Sequence, residues 1–283
     1  MRLVWFTDMH LDHITADPLG RYDGFYNQDN DDIIIGFCKN VVKNLKPDAV
    51  MIGGDISNAY CIDAHLRLLS KSFGKKVYFV LGNHDAYGSS LAAVDMIVQD
   101  VVKSNKNLTW LDRANPIKLT DNTCLIGSSL WTDGKSGNWR TSNVWLNDYN
   151  VIAELKSSPY DTEALEITLK SLAKEFTRTL IKKLKKSLTK YKNVIMLTHV
   201  PPFWEGSFYN GKVQDANWAP HFVCTIAGEK IKEVMMRHPN NYLTVYSGHT
   251  HSCGEKQIAD NIYVKNGEAQ YKHMRVQEVI EVE

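Results

Sequence analysis

Six short apolar runs punctuate the chain: Leu3–Phe6, Ala49–Ile52, Val77–Leu81, Cys124–Ile126, Val194–Leu197 and Tyr242–Tyr246. They are rich in Val, Ile, Leu and aromatic residues and too short for helices, so they predict buried strands. Between them lie stretches with helical character. Asp31–Leu45 carries acids in its first turn and lysine near its end, which suits the helix dipole. Ser89–Lys103 places Leu91, Val94, Ile97, Val98 and Val101 at helical spacing. From Tyr160 to Tyr191, Leu165, Leu169, Leu172, Phe176, Leu180, Leu184 and Leu188 recur at steps of three or four, predicting one long amphipathic helix. Its lysines, Lys182, Lys183, Lys185 and Lys186, then fall on a solvated face. Near the end, Ile262–Lys265 and Arg275–Val282 read as hairpin strands closing the domain. Strands alternating with helices predict an α/β sheet with parallel members.

Five of these runs end in residues of one chemical kind. Leu3–Phe6 leads to Asp8 and His10, and Ala49–Ile52 to Gly53-Gly54-Asp55. Val77–Leu81 leads to Gly82-Asn83-His84-Asp85, and Val194–Leu197 to Thr198-His199. Tyr242–Tyr246 leads to Ser247-Gly248-His249-Thr250-His251. Alternation along an extended segment puts Asp8 and His10 on the same side. Parallel strands bring such endings to one edge, where ligands bind in α/β sheets. Three Asp, one Asn and five His assemble there, a set that suits a metal site. Imidazole suits zinc, iron and manganese, while carboxylate and amide oxygens suit harder ions. The set exceeds what one four-coordinate ion takes, and two ions sharing a carboxylate use it.

The ordered series Asp8-x-His10, Gly54-Asp55, Gly82-Asn83-His84-Asp85, His199 and Gly248-His249-x-His251 resembles the five motifs of the calcineurin-like metallophosphoesterases. The resemblance implies a four-layer α/β/β/α sandwich with the metal site at the C-terminal ends of the strands. It implies that Asp8, His10 and His251 bind a first ion, that Asn83, His199 and His249 bind a second, and that Asp55 bridges them. The implied cofactors are two divalent or trivalent ions such as manganese, iron or zinc. His84 is implied as the acid–base residue near the leaving group; Asp85 beside it either supports that role or caps the next helix. One position departs from the family. Many members carry a second Asp three residues after the bridging one, and Asn58 stands there, without the negative charge.

Two such ions about 3.5–4 Å apart clamp the attacking and leaving oxygens of an in-line displacement. The expected function is hydrolysis of a phosphomonoester or phosphodiester by a metal-bridging hydroxide, with His84 protonating the leaving oxygen. The alternative is a non-catalytic scaffold that keeps the fold as a protein-interaction surface; the filled ligand positions and His84 argue against it.

Composition narrows the partners. With 283 residues, 43% of them hydrophobic, the chain reads as a single metallophosphoesterase domain with an aromatic-rich and helical insert at about 131–192. Five of the seven tryptophans fall between Trp131 and Trp218, where they serve either as a cap that stacks a planar group or as a small satellite core. Trp131-Thr132-Asp133 and Asn147-Asp148-Tyr149 are the parts expected nearest the pocket. Asn58, Arg140 and His221 are the candidate substrate contacts. A net charge of +1 supplies no basic field for nucleic acid, so a phosphorylated small molecule or nucleotide is the expected substrate. The apolar runs are too short to span a bilayer and no charged and apolar leader opens the chain, so a cytoplasmic location is expected. The five cysteines, Cys38, Cys61, Cys124, Cys224 and Cys253, form no C-x-x-C pair, which speaks against a disulfide framework or a cysteine zinc site.

Overall fold

In a computed structural model of the chain, which describes residues 1–14, 26–156 and 161–283, the strands show why two sheets are needed. Leu3 and Trp5 face one way, Val4 and Phe6 the other, and all four are buried. Ala49 and Met51 against Val50 and Ile52, and Tyr78 and Val80 against Val77 and Phe79, repeat the pattern. A strand apolar on both faces must be covered on both.

The first sheet has the order β13 (Glu278–Glu281), β1 (Arg2–Phe6), β2 (Ala49–Gly53), β3 (Lys76–Val80), β4 (Leu108–Trp110). Strands β1 to β4 run parallel and β13 antiparallel. The second has the order β11 (Gly254–Ala259), β12 (Ile262–Asn266), β10 (Tyr242–Ser247), β7 (Asn193–Thr198), β6 (Thr123–Ser128), β5 (Ile117–Lys118). Its four central strands are parallel. A small ribbon, β8 (Phe208–Tyr209) and β9 (Lys212–Val213), stands apart from both sheets.

Three cores follow from this alternation. Trp5, Met51 and Val80 meet Leu125, Ile195, Leu197 and Tyr246 between the sheets. Helices α1 (Asp31–Leu45), α2 (Ile62–Phe73) and α3 (Leu91–Ser104) bury Ile34, Leu66, Leu69 and Val98 on the outer face of the first sheet, with Phe6, Ile52 and Phe79. The short α4 (Asp148–Val151) precedes α5 (Thr162–Leu188), which packs with α6 (Thr225–Met236) on the second sheet through Leu180, Leu184, Ile231 and Met235. The architecture is the four-layer α/β/β/α sandwich. Tyr160, where the long helix was expected to begin, lies outside the described residues.

Two expectations need correction. Ile262–Lys265 and Arg275–Val282 do not pair as a hairpin: β12 joins the second sheet beside β10 and β11, while β13 closes the edge of the first against β1. Both are short strands, and pattern alone does not say which edge will receive them. Lys183 does not lie on a solvated face. Its side chain is buried, and its ammonium donates to the backbone carbonyls of Leu111, Asp112 and Gly127. It ties α5 to the loop after β4 and to β6, a task for which three donors on one long stem are suited. No helix among the described residues is long and apolar enough to cross a membrane.

Removing the Lys183 ammonium leaves three carbonyls short of a donor. Lys183→Ala is expected to lower unfolding stability by about 2–4 kcal/mol, and the exposed Lys182→Ala by less than about 0.5 kcal/mol. Urea denaturation of both variants, read by circular dichroism, checks the difference.

Candidate metal centre

The strand ends of both sheets converge, and the backbone turns abruptly to make this possible. Asp8, His10, Asp55, His249 and His251 all have left-handed backbone, with φ of 49°, 42°, 47°, 68° and 53°. That region is disfavoured for side chains bearing a Cβ and persists where surrounding contacts enforce it. Here they do. Asp8 N donates to Gly54 O at 3.0 Å, His10 N to Asp55 O at 2.9 Å, and Gly248 N to His199 O at 3.0 Å. Glycine is required where loops touch: a Cβ on Gly82 would lie 2.1 Å from Asp55 Oδ1, and one on Gly248 2.1 Å from Asp8 Oδ2.

These turns aim four side chains at one point. One ligand atom from each of Asp8, His10, Asp55 and His251 lies within 4.8 Å of all the others. The Nε2 atoms of His10 and His251 face each other at 3.1 Å. His10 Nε2 is 3.8 Å from Asp55 Oδ2, and His251 Nε2 is 3.4 Å from Asp8 Oδ1. Asp8 is fixed by Thr7 Oγ1 at 2.6 Å and by the backbone N–H of His249 at 2.9 Å.

His199, Asn83 and His249 flank Asp55 on its other side. His199 Nδ1 donates to Gly53 O at 2.9 Å, which leaves Nε2 as a bare lone pair. That lone pair faces Asn83 Oδ1 at 2.9 Å and Asp55 Oδ1 at 3.4 Å. The amide of Asn83 is oriented by its other end, where Nδ2 donates to Asp148 Oδ1 at 2.9 Å. Three acceptors thus converge with no proton between them, an arrangement that a cation relieves. His249 packs its ring 5.0 Å from that of His199, with Nε2 3.3 Å from the carbonyl of His221. The mixed nitrogen and oxygen donors fit first-row transition ions.

Burial and crowding set the charge states. Burial, then His84 and His251, hold His10 well below its ordinary value; burial and His199 do the same to His249. Burial also lowers His199. These imidazoles are therefore neutral, the form that binds metal. Burial pushes the Asp8 carboxyl up, yet its hydrogen bond with His251 and the nearby imidazoles hold it below the usual carboxylate range. Asp55 is pushed up by burial and by its neighbours Asp8 and Asp85. Burial, with His251 and His199 nearby, lowers His84 to about 3.

A cavity of about 540 Å³ opens above this floor. Asp55, Asn83, His84, His249 and His251 line its base. The ring of His84 stacks on Tyr87 at 4.1 Å, and its backbone N–H donates to Asp55 Oδ1 at 2.8 Å. Asp85 points elsewhere: its carboxylate accepts the N–H groups of Ser57 and Gly82, both at 2.8 Å, and joins the loops after β2 and β3. Burial pushes Asp85 up to about 7, against the two N–H donors, which favour its charged form.

The three candidate substrate contacts do not line the cavity. Arg140 is exposed, because its 3₁₀ turn buries Trp139 and faces the guanidinium outward. His221 is buried between Tyr149 Oη at 2.7 Å and Ser142 Oγ at 3.0 Å, so both ring nitrogens are engaged. Asn58 donates to Asp12 and accepts from the backbone N–H of Tyr60. Asp133, expected near the pocket, instead caps α6 by accepting the N–H of Ile226 at 2.6 Å. Trp131 and Thr132 sit behind Asn83 and His249, lining a small void there, and Tyr149 holds His221. Asn147 and Asp148 do reach the cavity. Of the tryptophans expected as a cap, Trp218 lines the cavity; missed from sequence were Lys212 and Tyr271, which also line it, the ring of Tyr271 lying 4.6 Å from that of His10. No local pattern marks these residues, which arrive on loops.

Three comparisons bear on this arrangement. An uncharacterised protein of Acanthamoeba polyphaga mimivirus is 22% identical over 230 residues, 78% of this chain and 78% of that one. The fold is similar to that of the phosphopantetheinyl hydrolase of Mycobacterium tuberculosis, with a TM-score of 0.65 and 15% identity over 95% of this chain and 89% of that chain. It is similar also to a dimetal phosphatase from Danio rerio, with a TM-score of 0.57 and 12% identity over 96% and 88% of the two chains. A sequence model of the calcineurin-like phosphoesterases matches residues 1–253, and with the strand-end cluster of Asp and His side chains in place the chain belongs to the calcineurin-like phosphoesterase family.

Proposed function

We propose that this protein hydrolyses a phosphomonoester or phosphodiester at a centre of two metal ions, one held by Asp8, His10 and His251, the other by Asn83, His199 and His249, with Asp55 shared. The observation that carries this reading is the convergence of carboxylate and imidazole ligand atoms within 4.8 Å at the floor of the cavity. Ions bound there supply positive charge to the phosphoryl oxygens and make a water acidic enough to attack near neutral pH.

The chain's own side chains do the rest. Neutral His10, His199 and His249 offer lone pairs, and Asp8 and Asp55 offset cationic charge. His84, half-buried at the base of the cavity, is placed to give a proton to the leaving oxygen. A phosphate anion docked beside it supplies the negative charge that favours its protonated form. Leu146, Val213, Trp218 and Phe222, with Lys212, line the rest of the cavity and suit a substrate whose alcohol portion extends beyond the phosphate. The insert at about 131–192 belongs to the same domain in this reading, since Trp131, Tyr149 and Leu165 share one core with Phe6 and Ile52.

Metal-reconstituted protein is expected to retain two ions per chain by elemental analysis. At a free-ion concentration 100 times the dissociation constant, binding adds about 2.7 kcal/mol of stability, or roughly 5–10 °C in melting temperature. Asp55→Ala is expected to lose at least one ion and nearly all activity. A plateau at one ion in the wild type counts against the shared carboxylate.

His84→Ala is expected to keep both ions and to separate substrates by leaving group. A nitrophenolate departs as an anion, whereas an alkoxide needs the proton. General acid catalysis contributes about 10²–10⁴-fold, so the preference for aryl over alkyl esters is expected to rise at least about tenfold. Equal slowing of both esters with both ions bound removes His84 from that role.

Trp218→Ala is expected to raise KM about threefold to tenfold for an ester with a bulky aromatic alcohol, and to leave KM for methyl phosphate unchanged. Steady-state kinetics on the two esters decides it.

A further inference from the structure

We propose that Asp148, contributed by the insert, is a positioning residue for the second-ion side of the centre: it holds Asn83 with its oxygen toward His199 and, through Tyr87, braces the ring of His84. This rests on the two-ion reading above.

The carboxylate of Asp148 is buried, and among the described residues no side-chain cation pairs with it. Its Oδ1 accepts from Asn83 Nδ2 at 2.9 Å and from Tyr87 Oη at 2.5 Å. A buried carboxylate without a counter-charge is costly. Here it stands one hydrogen bond from a proposed ligand of the second ion, so that ion is the charge that compensates it. The same bond decides the amide's orientation. With Nδ2 committed to Asp148, only Oδ1 is left to face His199 Nε2 at 2.9 Å. The Tyr87 hydroxyl also accepts from Nδ2, but at 3.4 Å and while itself tied to Asp148, so without Asp148 the amide is held weakly against turning its NH₂ toward that lone pair, where it would donate to His199 and present no oxygen to an ion. Tyr87 extends the device, since its hydroxyl is tied to Asp148 while its ring stacks on His84.

The backbone around α4 is fastened to the loop that carries these residues. Gly88 N donates to Val151 O at 3.3 Å, and Ala153 N to Ser89 O at 2.9 Å. Glu154 accepts from the N–H groups of Leu91 and Ala92 at the start of α3, at 2.9 and 3.2 Å. These contacts hold Asp148 in register with Asn83.

The test uses apoprotein titrated with Mn²⁺ against a chelating fluorophore, which resolves the two binding steps, with elemental analysis alongside. Removing an oriented partner of a metal ligand lowers affinity about 10–100-fold. Asp148→Ala is expected to weaken the second ion by that factor and the first by less than about threefold. Asp148→Asn keeps an oxygen for the Asn83 amide and is expected to recover most of the loss. A general packing defect would weaken both sites together and would not be rescued by Asn; that outcome, or unchanged second-ion affinity in Asp148→Ala, overturns the proposal. Where Asp148→Ala fails to fold, Tyr87→Phe carries the test. It removes the hydroxyl that donates to the carboxylate and accepts weakly from Asn83, and keeps the ring on His84, so second-ion affinity is expected to fall about threefold to tenfold, less than on loss of the carboxylate itself. No fall there overturns the assignment. A wild type that binds only one ion defeats the two-ion reading itself, whereas a wild type with two ions and an Asp148→Ala variant with the same two defeats only the role of Asp148.

Discussion

The centre depends on backbone held in a conformation it would not choose. Five of its side chains leave the chain from left-handed residues, at a cost of about 1–2 kcal/mol each. Five such residues together approach the whole net stability of an ordinary domain, about 5–15 kcal/mol. They persist because the strands before them are locked into two sheets buried on both faces, and because neighbouring strand ends bond to one another, as Asp8 does to Gly54 and His10 to Asp55. Small residues keep the crossing open, since Gly82 and Gly248 touch the carboxylates of Asp55 and Asp8 where no Cβ fits.

Within that frame the buried carboxylates divide by what they face. Asp8 and Asp55 aim at the shared point between the imidazoles. Asp85 turns to backbone N–H groups and joins two loops. Asp148 turns to an amide and a phenol. All four are desolvated, and burial pushes each carboxyl up; in Asp8 alone the surrounding imidazoles more than offset it. Their concentration around neutral imidazoles makes the unliganded centre electrostatically unfavourable and gives cations a reason to bind.

The aromatic insert is more structural than a cap for substrate. Trp139 packs on His221, and His221 in turn is held by Tyr149 and Ser142. Trp131, Trp139 and Tyr149 extend the core of the first sheet. Trp218, on a later loop, is the tryptophan that reaches the cavity. Satellite core and cavity wall are thus served by different aromatic residues.

Much of this was legible in the sequence. Apolar runs with two-residue alternation located β1, β2, β3, β6, β7 and β10, because a strand buried on both faces writes its own pattern. The order of Asp, Asn, Gly and His after five of them marked the residues that the fold gathers: parallel strands align the endings of β1, β2 and β3 in one sheet and of β7 and β10 in the other, and the packing of the two sheets joins the two groups. Helices α1, α3 and α5 were legible too, the last two from apolar residues at helical spacing, whereas α2 was not read. Other features depended on tertiary contact. Arg140 and His221 are chemically fit for substrate, yet one faces solvent and the other is enclosed by Tyr149 and Ser142. Lys183 shares a helix and a composition with the exposed Lys182, and only the packing of α5 against β6 decides that its ammonium meets three carbonyls. Asp148 lies 65 residues from Asn83, and the docking of the insert alone brings their side chains together. Periodicity and motif order are properties of neighbouring residues, so the sequence by itself determined the strands and the Asp, Asn and His residues at their ends; burial, orientation and hydrogen-bond partners arise between distant segments, so the tertiary structure decided which polar groups face the candidate centre.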